Sequence, residues 1–127
     1  MPRDIVLCVD DEPSVLRACS IAIEAAGFRL LVAEDGIAGL QVFEDHRDEI
    51  CLVLSDVVMP NMTGIEMAEA IRRIDPKAKI LLMSGYSDRA LQLQAQSLYA
   101  FIRKPFIHSV LVDKIRSTLG PLGAARS

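Results

Sequence analysis

Short apolar runs alternate along the chain with stretches in which apolar residues recur every three or four positions. The apolar runs are rich in β-branched residues, which predicts buried strands. They lie at Ile5–Val9, 28–33, 51–55, 79–83 and 99–102. The amphipathic stretches predict helices. They lie at 13–26, 36–44, 64–74, 88–96 and 107–119. A strand followed by a helix, repeated along the whole chain, predicts an α/β (βα)5 fold: a doubly wound parallel sheet with helices on both faces.

The predicted helices differ in how clearly their sequences show an apolar face. In the second and last helices, periodicity predicts that a set of apolar side chains faces the sheet. That set is Ile37, Leu40, Phe43, Val110, Leu111, Ile115 and Leu119. The helix predicted at 88–96 is rich in glutamine and lacks a clear apolar stripe. We therefore expect the stretch 88–97 to be a mobile part of the surface.

Composition narrows the class of protein. A chain of 127 residues with 51% hydrophobic and 24% charged residues suits one ordered globular domain. The net charge of −3 gives no support for direct nucleic-acid binding. No apolar run approaches the length of a membrane span, and no signal peptide is evident, so we expect a cytoplasmic domain without membrane insertion. The three cysteines show no C-x-x-C spacing, which argues against a disulfide framework or a zinc site.

Polar residues of defined chemistry cluster at the ends of the predicted strands. Asp10 and Asp11 follow the first strand, Asp56 the third, Ser84 the fourth and Lys104 the fifth. In an open parallel sheet, ligands bind outside the carboxyl ends of the strands, near the point where strand order reverses. These residues, distant in sequence, are therefore predicted to meet in one cleft.

The acidic members of this set indicate a metal site. Bringing Asp10, Asp11 and Asp56 together raises at least one carboxyl pKa unless a cation intervenes. Mg²⁺ fits best, because it binds oxygen ligands, keeps several waters and pairs with phosphate oxygens. The backbone carbonyl of Val58, two residues beyond Asp56, is a candidate for a further ligand.

The same set suits phosphoryl transfer, in which a protein contributes mainly positioning and electrostatics. Asp56 is the candidate nucleophile, since a carboxylate can form an acyl phosphate. Lys104 is predicted to bind one phosphoryl oxygen, and Ser84 to donate a hydrogen bond to another.

Four motifs at these positions resemble receiver domains of the two-component response-regulator family. They are VDDEP (9–13), LSDVVMPNMTG (54–64), LLMSGYSD (81–88) and FIRKPF (101–106). The resemblance covers residues 4–119, and the last two motifs look most like receivers of hybrid sensor histidine kinases. It implies a flavodoxin-like strand order 2-1-3-4-5, a cis peptide at Lys104-Pro105, a receiver domain at 1–119 and a tail or linker at 120–127.

The resemblance also implies roles around the phosphorylated residue. Asp56 would accept a phosphoryl group from a histidine kinase or a histidine phosphotransfer protein. Asp11 would bind Mg²⁺ directly, whereas Asp10 would act through ordered water. Lys104 would contact the phosphoryl group. Such a domain is a signalling acceptor and not a turnover enzyme.

The implied output is a change of surface shape. Ser84 would be the switch hydroxyl and Phe101 the switch aromatic, and together they would alter the face formed by the fourth helix, fifth strand and fifth helix. Partners implied are an output domain or effector protein, and a homodimer through that face is a further option. Val58 offers no polar side chain to orient water and Tyr86 is bulky, so we expect slow self-dephosphorylation.

Other interpretations of the same residues stay open at this point. A dehalogenase-type aspartyl phosphatase places its nucleophile after the first strand in a D-x-D pattern, where this chain has Asp10 and Glu12. A receiver that works through protein contacts without phosphorylation is a second alternative. Individually, Asp11 could be a helix N-cap, Ser84 a turn residue and Phe101 plain core.

Overall fold

The computed structural model describes residues 3–120, except the side chain of Tyr86. The strands are β1 (Ile5–Val9), β2 (Arg29–Ala33), β3 (Ile50–Asp56), β4 (Ile80–Ser84) and β5 (Ala100–Arg103). The helices are α1 (Pro13–Ala25), α2 (Gly36–His46), α3 (Gly64–Ile74), α4 (Arg89–Ala95) and α5 (His108–Leu119). The tail predicted at 120–127 lies outside the described residues from residue 121 onward.

The strands form one parallel sheet in the order β2-β1-β3-β4-β5, which confirms the predicted topology. Strand order reverses between β1 and β3, because the chain moves outward from β1 to β2 and then returns to the other side. In the pairing register, Val9 at the end of β1 lies opposite both Ala33 and Ser55. The carboxyl ends of β1 and β3 therefore meet at the switch point where ligands bind in such sheets.

Helices cover both faces of the sheet, and this is why the sequences of its central strands are nearly continuous apolar runs. Along β1, Ile5, Leu7 and Val9 enter one core cluster, which includes residues of α2 and α3. Val6 and Cys8 enter the other cluster, which includes residues of α1 and α5. This alternation follows from the two-residue period of a strand. None of the helices within residues 3–120 has the length and apolarity that crossing a bilayer requires.

Two of the helices that begin beside the strand ends have side-chain caps. Asp35 caps α2 by accepting a hydrogen bond from the Ala38 amide at 2.8 Å. Thr63 and Glu66 form a reciprocal capping box at the start of α3, with distances of 2.8 and 3.1 Å. These bonds satisfy amides that have no partner within the helix, and they fix where the loop after β3 ends.

Several predicted boundaries shift by a residue or more. Asp56 and Ser84 are the last residues of β3 and β4, rather than the first residues beyond them. The fourth helix is shorter than predicted, because a 3-10 turn at Tyr86–Asp88 precedes it. The inward placement of Ile37 and Val110 is wrong, since these side chains are 58% and 48% exposed.

Candidate functional site

Three carboxylates meet at the carboxyl edge of the sheet. One oxygen from each of Asp10, Asp11 and Asp56 lies within 4.8 Å of the others. Asp10 and Asp56 are buried, whereas Asp11 is exposed. The site thus has two buried acids and one acid open to solvent.

The backbone around Asp10 is held by the neighbouring strand and by its own side chain. Its amide donates to the Ala33 carbonyl at 3.1 Å. Its Oδ1 accepts a hydrogen bond from the Glu12 amide at 2.9 Å. Glu12, and not Asp11, is the N-cap residue of α1, and it makes no side-chain cap bond. The interpretation of Asp11 as a helix cap is therefore wrong, and its carboxylate stays at the cleft.

Asp56 is fixed by the segment that follows it. Asp56 pairs with Met83 of β4, and the Val57 amide donates to the Met83 carbonyl at 3.1 Å. The Ser55 hydroxyl donates to the Asp56 carbonyl at 2.9 Å. Gly64 approaches so closely that a Cβ there would overlap the same carbonyl oxygen. The backbone at Asp56 is therefore held from both sides.

Lys104 provides the positive charge of the site. Its Nζ lies 3.1 Å from Asp56 Oδ2, and the two side chains are 23% and 7% exposed. Its amide donates to the Ser84 carbonyl at 2.8 Å, which continues the pairing of β4 and β5 beyond the strand end. The Lys104-Pro105 peptide is cis, as the resemblance implied.

Burial and mutual charge shift the pKa values of these groups. Burial, assisted by the charge of Asp56, raises the pKa of Asp10 to about 6. Burial also raises the pKa of Asp56, because it outweighs the opposing effect of Lys104. Burial alone would lower the pKa of Lys104, but the charges of Asp56 and Asp10 prevail and raise it. The pair of buried acids is thus under electrostatic strain that one lysine does not fully relieve.

Two oxygens of this cluster show that it fits a hard cation. Asp10 Oδ2 and Asp56 Oδ1 are buried, and neither has a hydrogen-bond partner among the described residues. A buried oxygen without a partner is costly, and a cation ligated by oxygen would satisfy both. The side chain of Val58 is 50% exposed, and the role predicted for its backbone carbonyl stays a prediction.

Ser84 is buried at the end of β4, and its hydroxyl points to an unexpected partner. Ser84 Oγ donates to Oε1 of Gln92, on α4, at 2.9 Å. Sequence reasoning missed Gln92, because a glutamine on a polar helix carries no local signal of such a contact.

Asp88 is a second residue that sequence reasoning missed. Its side chain is 7% exposed, and its Oδ2 accepts a hydrogen bond from the Gly85 amide at 2.8 Å. Its negative charge contributes to raising the pKa of Asp56. An acidic residue three positions after a turn glycine is typical of the start of a helix. This pattern is the sequence signal that could have identified Asp88.

Phe101 and Tyr86 complete the set of predicted site residues. Phe101 is half-buried in β5 and packs against the core cluster that contains Tyr99 and Ala95. Its role as a switch aromatic stays a prediction. The side chain of Tyr86 lies outside the described residues, so its predicted shielding of the phosphoryl group also stays a prediction.

We expect Asp10→Asn to stabilise the metal-free protein. Asparagine keeps the oxygen that accepts from Glu12 but removes one buried negative charge. Because the pKa of Asp10 in the folded state is about 6, above its usual value of 3.8, the charged form opposes folding at neutral pH. Chemical denaturation in EDTA at pH 7.5 should show a gain of about 1–3 kcal/mol.

The change in protein stability with pH tests whether the charge on Asp10 opposes folding. A carboxyl group whose pKa is raised by folding favours the folded state more as the pH falls through that pKa. Between pH 7.5 and 5.5, the wild type should therefore gain about 1 kcal/mol relative to Asp10→Asn. Asp45→Asn, on the exposed side of α2, is the matched control and should show neither effect. An Asp10→Asn protein less stable than the wild type at pH 7.5 would contradict the prediction.

Comparison with known proteins places this site in a family. A family model described as the response regulator receiver domain matches residues 6–116. The chain belongs to that family. This confirms the resemblance seen in the four motifs. Receiver domains are phosphoryl-accepting signalling domains of two-component systems and bind Mg²⁺ at an acidic pocket, the kind of pocket that Asp10, Asp11 and Asp56 form here.

Individual relatives agree with this assignment. The chain is 32% identical over 116 residues to the sensor kinase CckA of Brucella abortus, covering 90% of this chain and 12% of that protein. A receiver domain structure from Clostridium thermocellum superposes with a TM-score of 0.85 at 26% identity, covering 91% and 93% of the two chains. The CheX–CheY–BeF₃–Mg²⁺ complex from Borrelia burgdorferi gives 0.84 at 25% identity, covering 92% and 90%. The receiver spans only 12 to 51% of the first curated relatives it matches.

Proposed function

We propose that this receiver domain accepts a phosphoryl group on Asp56 from a phosphohistidine, in a reaction that depends on Mg²⁺. A carboxylate oxygen of Asp56 attacks the phosphorus, forming an O–P bond as the P–N bond to histidine breaks. The histidine nitrogen keeps the electron pair and regains a proton. The product is an acyl phosphate on Asp56.

One observation carries this proposal. Asp56 has a buried oxygen, Oδ1, without a hydrogen-bond partner among residues 3–120, while its other oxygen lies 3.1 Å from Lys104. Because Asp56 has two oxygens, one can hold the metal while the other attacks the phosphorus. The Lys104 charge beside Asp56 supports the positioning and charge neutralisation on which in-line phosphoryl transfer depends. Asp10 also has a partnerless oxygen, Oδ2, but the Lys104 ammonium group lies against Asp56, so Asp10 is the poorer nucleophile.

The metal would be held by the acidic cluster. Asp11 and Asp56 are proposed as direct ligands, Asp10 as a ligand through water, and the Val58 carbonyl as a further ligand. Bound Mg²⁺ supplies positive charge to the phosphoryl oxygens. Lys104 holds Asp56 in place and offers its ammonium group to the incoming phosphoryl group. The BeF₃ and Mg²⁺ in the CheX–CheY complex from Borrelia burgdorferi support this choice of metal and mimic.

The output is proposed to be the switch surface, defined as α4, β5 and α5. Ser84 and Phe101 would transmit the change from Asp56 to this surface.

A histidine kinase or histidine phosphotransfer protein would be the donor of the phosphoryl group. An output domain or effector would read the surface, and a homodimer through it is also proposed. Relatives that are a sensor kinase and transcriptional regulators support a kinase donor and an attached output.

The proposal also includes the domain boundaries and the cellular location of the protein. Residues 1–119 would form the receiver domain, and 120–127 would be a tail or linker. We also propose a cytoplasmic location for the domain. The direct test is incubation with acetyl phosphate, which should label the protein in Mg²⁺ and leave it unlabelled in EDTA. Equal labelling in EDTA would contradict a metal-dependent transfer.

Replacing Lys104 should slow this labelling without preventing folding. In Lys104→Met, the charge 3.1 Å from Asp56 is lost, while the aliphatic part of the side chain is kept. Removal of one group that stabilises developing charge in a reaction typically costs about 10²–10³ in rate. Initial rates of labelling by acetyl phosphate in saturating Mg²⁺ measure this. Lys77→Met, at an exposed position, is the matched control and should label at the wild-type rate. A Lys104→Met rate within twofold of wild type would count against the role of Lys104.

A further inference from the structure

Gln92 forms the hydrogen bond that holds the Ser84 hydroxyl in this structure. Ser84 Oγ donates to Gln92 Oε1 at 2.9 Å. Ser84 is fully buried, and Gln92, on α4, is half-buried. A serine hydroxyl has one proton, so it cannot donate to Gln92 and to a second acceptor at once.

The competing acceptor would be on the neighbouring strand. Asp56 ends β3 and pairs with Met83, the residue before Ser84. A phosphoryl group on Asp56 would bring three strongly accepting oxygens to this end of the sheet. If the Ser84 hydroxyl donates to one of them, its bond to Gln92 must break.

Beyond Ala95 and the partly buried Leu91, little apolar packing holds α4, so the bond from Ser84 to Gln92 is a large part of what keeps this helix in place. The helix has only seven residues and one buried side chain, Ala95. Leu93 and Leu98, on and just after the helix, are 56% and 61% exposed. Segments with little buried apolar surface move at low cost in free energy. Loss of the Ser84–Gln92 bond would therefore release α4 more readily than a well-packed helix.

We propose that Gln92 is a positioning residue that holds Ser84 in its resting arrangement and thereby couples α4 to the occupancy of Asp56. The inference rests on the proposed function, because the competing acceptor is a phosphoryl group on Asp56. Removing the Gln92 acceptor leaves the hydroxyl free to turn toward that group. The variant should then bind a phosphoryl mimic more tightly than the wild type.

The test is titration of beryllofluoride in saturating Mg²⁺, followed by the ¹⁹F resonance of the bound mimic. Gln92→Leu keeps the bulk of the side chain and removes its acceptor. It should tighten binding about threefold to tenfold, which corresponds to one net hydrogen bond. Gln94→Leu, exposed on the same helix, is the matched control and should bind with wild-type affinity.

A double-mutant cycle separates this role from a general effect on α4. In a Ser84→Ala background there is no hydroxyl to release, so Gln92→Leu should then leave the affinity unchanged. Equal affinities of wild type and Gln92→Leu, or the same gain in the Ser84→Ala background, would overturn the inference while the proposed function stands. Failure of the wild type itself to bind the mimic would overturn both.

Discussion

Asp56→Asn should incorporate no phosphoryl group from acetyl phosphate under conditions that label the wild type fully. An amide cannot form the acyl phosphate, so the loss should be complete, at least about 10³-fold in rate. The variant should still fold, because asparagine fills the same space and one buried negative charge is removed from the cluster. Label incorporation and thermal unfolding, measured on the same sample, separate loss of chemistry from loss of structure.

The control for Asp56→Asn is a second aspartate outside the cleft. Asp45 is exposed on α2 and accepts a hydrogen bond from Gln41 at 3.1 Å. Asp45→Asn should therefore label like the wild type. Residual label on Asp56→Asn, mapped to Asp10 or Asp11, would show that the site has a different acceptor.

Gly64→Ala should cause the largest loss of stability of any single added methyl group at the site. A Cβ at this position would overlap the Asp56 carbonyl oxygen and lie 3.0 Å from the Asp56 carbonyl carbon. These are backbone atoms held by β3 and β4, so they cannot move aside as a flexible side chain would. We expect a loss of about 3 kcal/mol or more in the free energy of unfolding, at the upper end of overpacking costs.

The matched control for Gly64→Ala is the glycine after β4. The nearest atom to a Cβ at Gly85 is 3.6 Å away, an ordinary van der Waals contact, and its φ of −94° suits alanine. Gly85→Ala should therefore change the free energy of unfolding by less than about 1 kcal/mol. Urea denaturation of both variants tests the comparison. Equal stability of the two variants would contradict the close approach of Gly64 to Asp56.

The amino-acid sequence was sufficient to predict the sheet and the edge at which the site lies. Buried parallel strands appear as apolar runs, and polar residues at their carboxyl ends must meet at one edge. Asp10, Asp56 and Lys104 could therefore be grouped by their positions in the sequence alone. Ile37 and Val110 show the limit of helical periodicity. Each lies next in sequence to a buried residue of its helix, which turns it about 100° around the helix axis and away from the buried face.

Other features of the site depend on distances that no local pattern encodes. The bond from Ser84 to Gln92 joins a strand end to a helix whose sequence has no apolar stripe. Within residues 3–120, Asp10 Oδ2 and Asp56 Oδ1 have no hydrogen-bond partner, because the surrounding segments bury these two atoms without offering them a donor. These features are visible only in three dimensions, and they carry the inferences about the metal and about α4.

The most direct test of Asp56 as the acceptor is to map which residue receives a phosphoryl group from a phosphohistidine donor. A phosphorylated histidine kinase or histidine phosphotransfer protein is mixed with the wild-type receiver in Mg²⁺. The product is then reduced with borohydride, which converts an aspartyl phosphate to homoserine, and mapped by mass spectrometry. We predict homoserine at position 56 and at no other aspartate. Homoserine at position 10 or 11, or no transfer from any such donor while acetyl phosphate also fails to label, would contradict the role of Asp56.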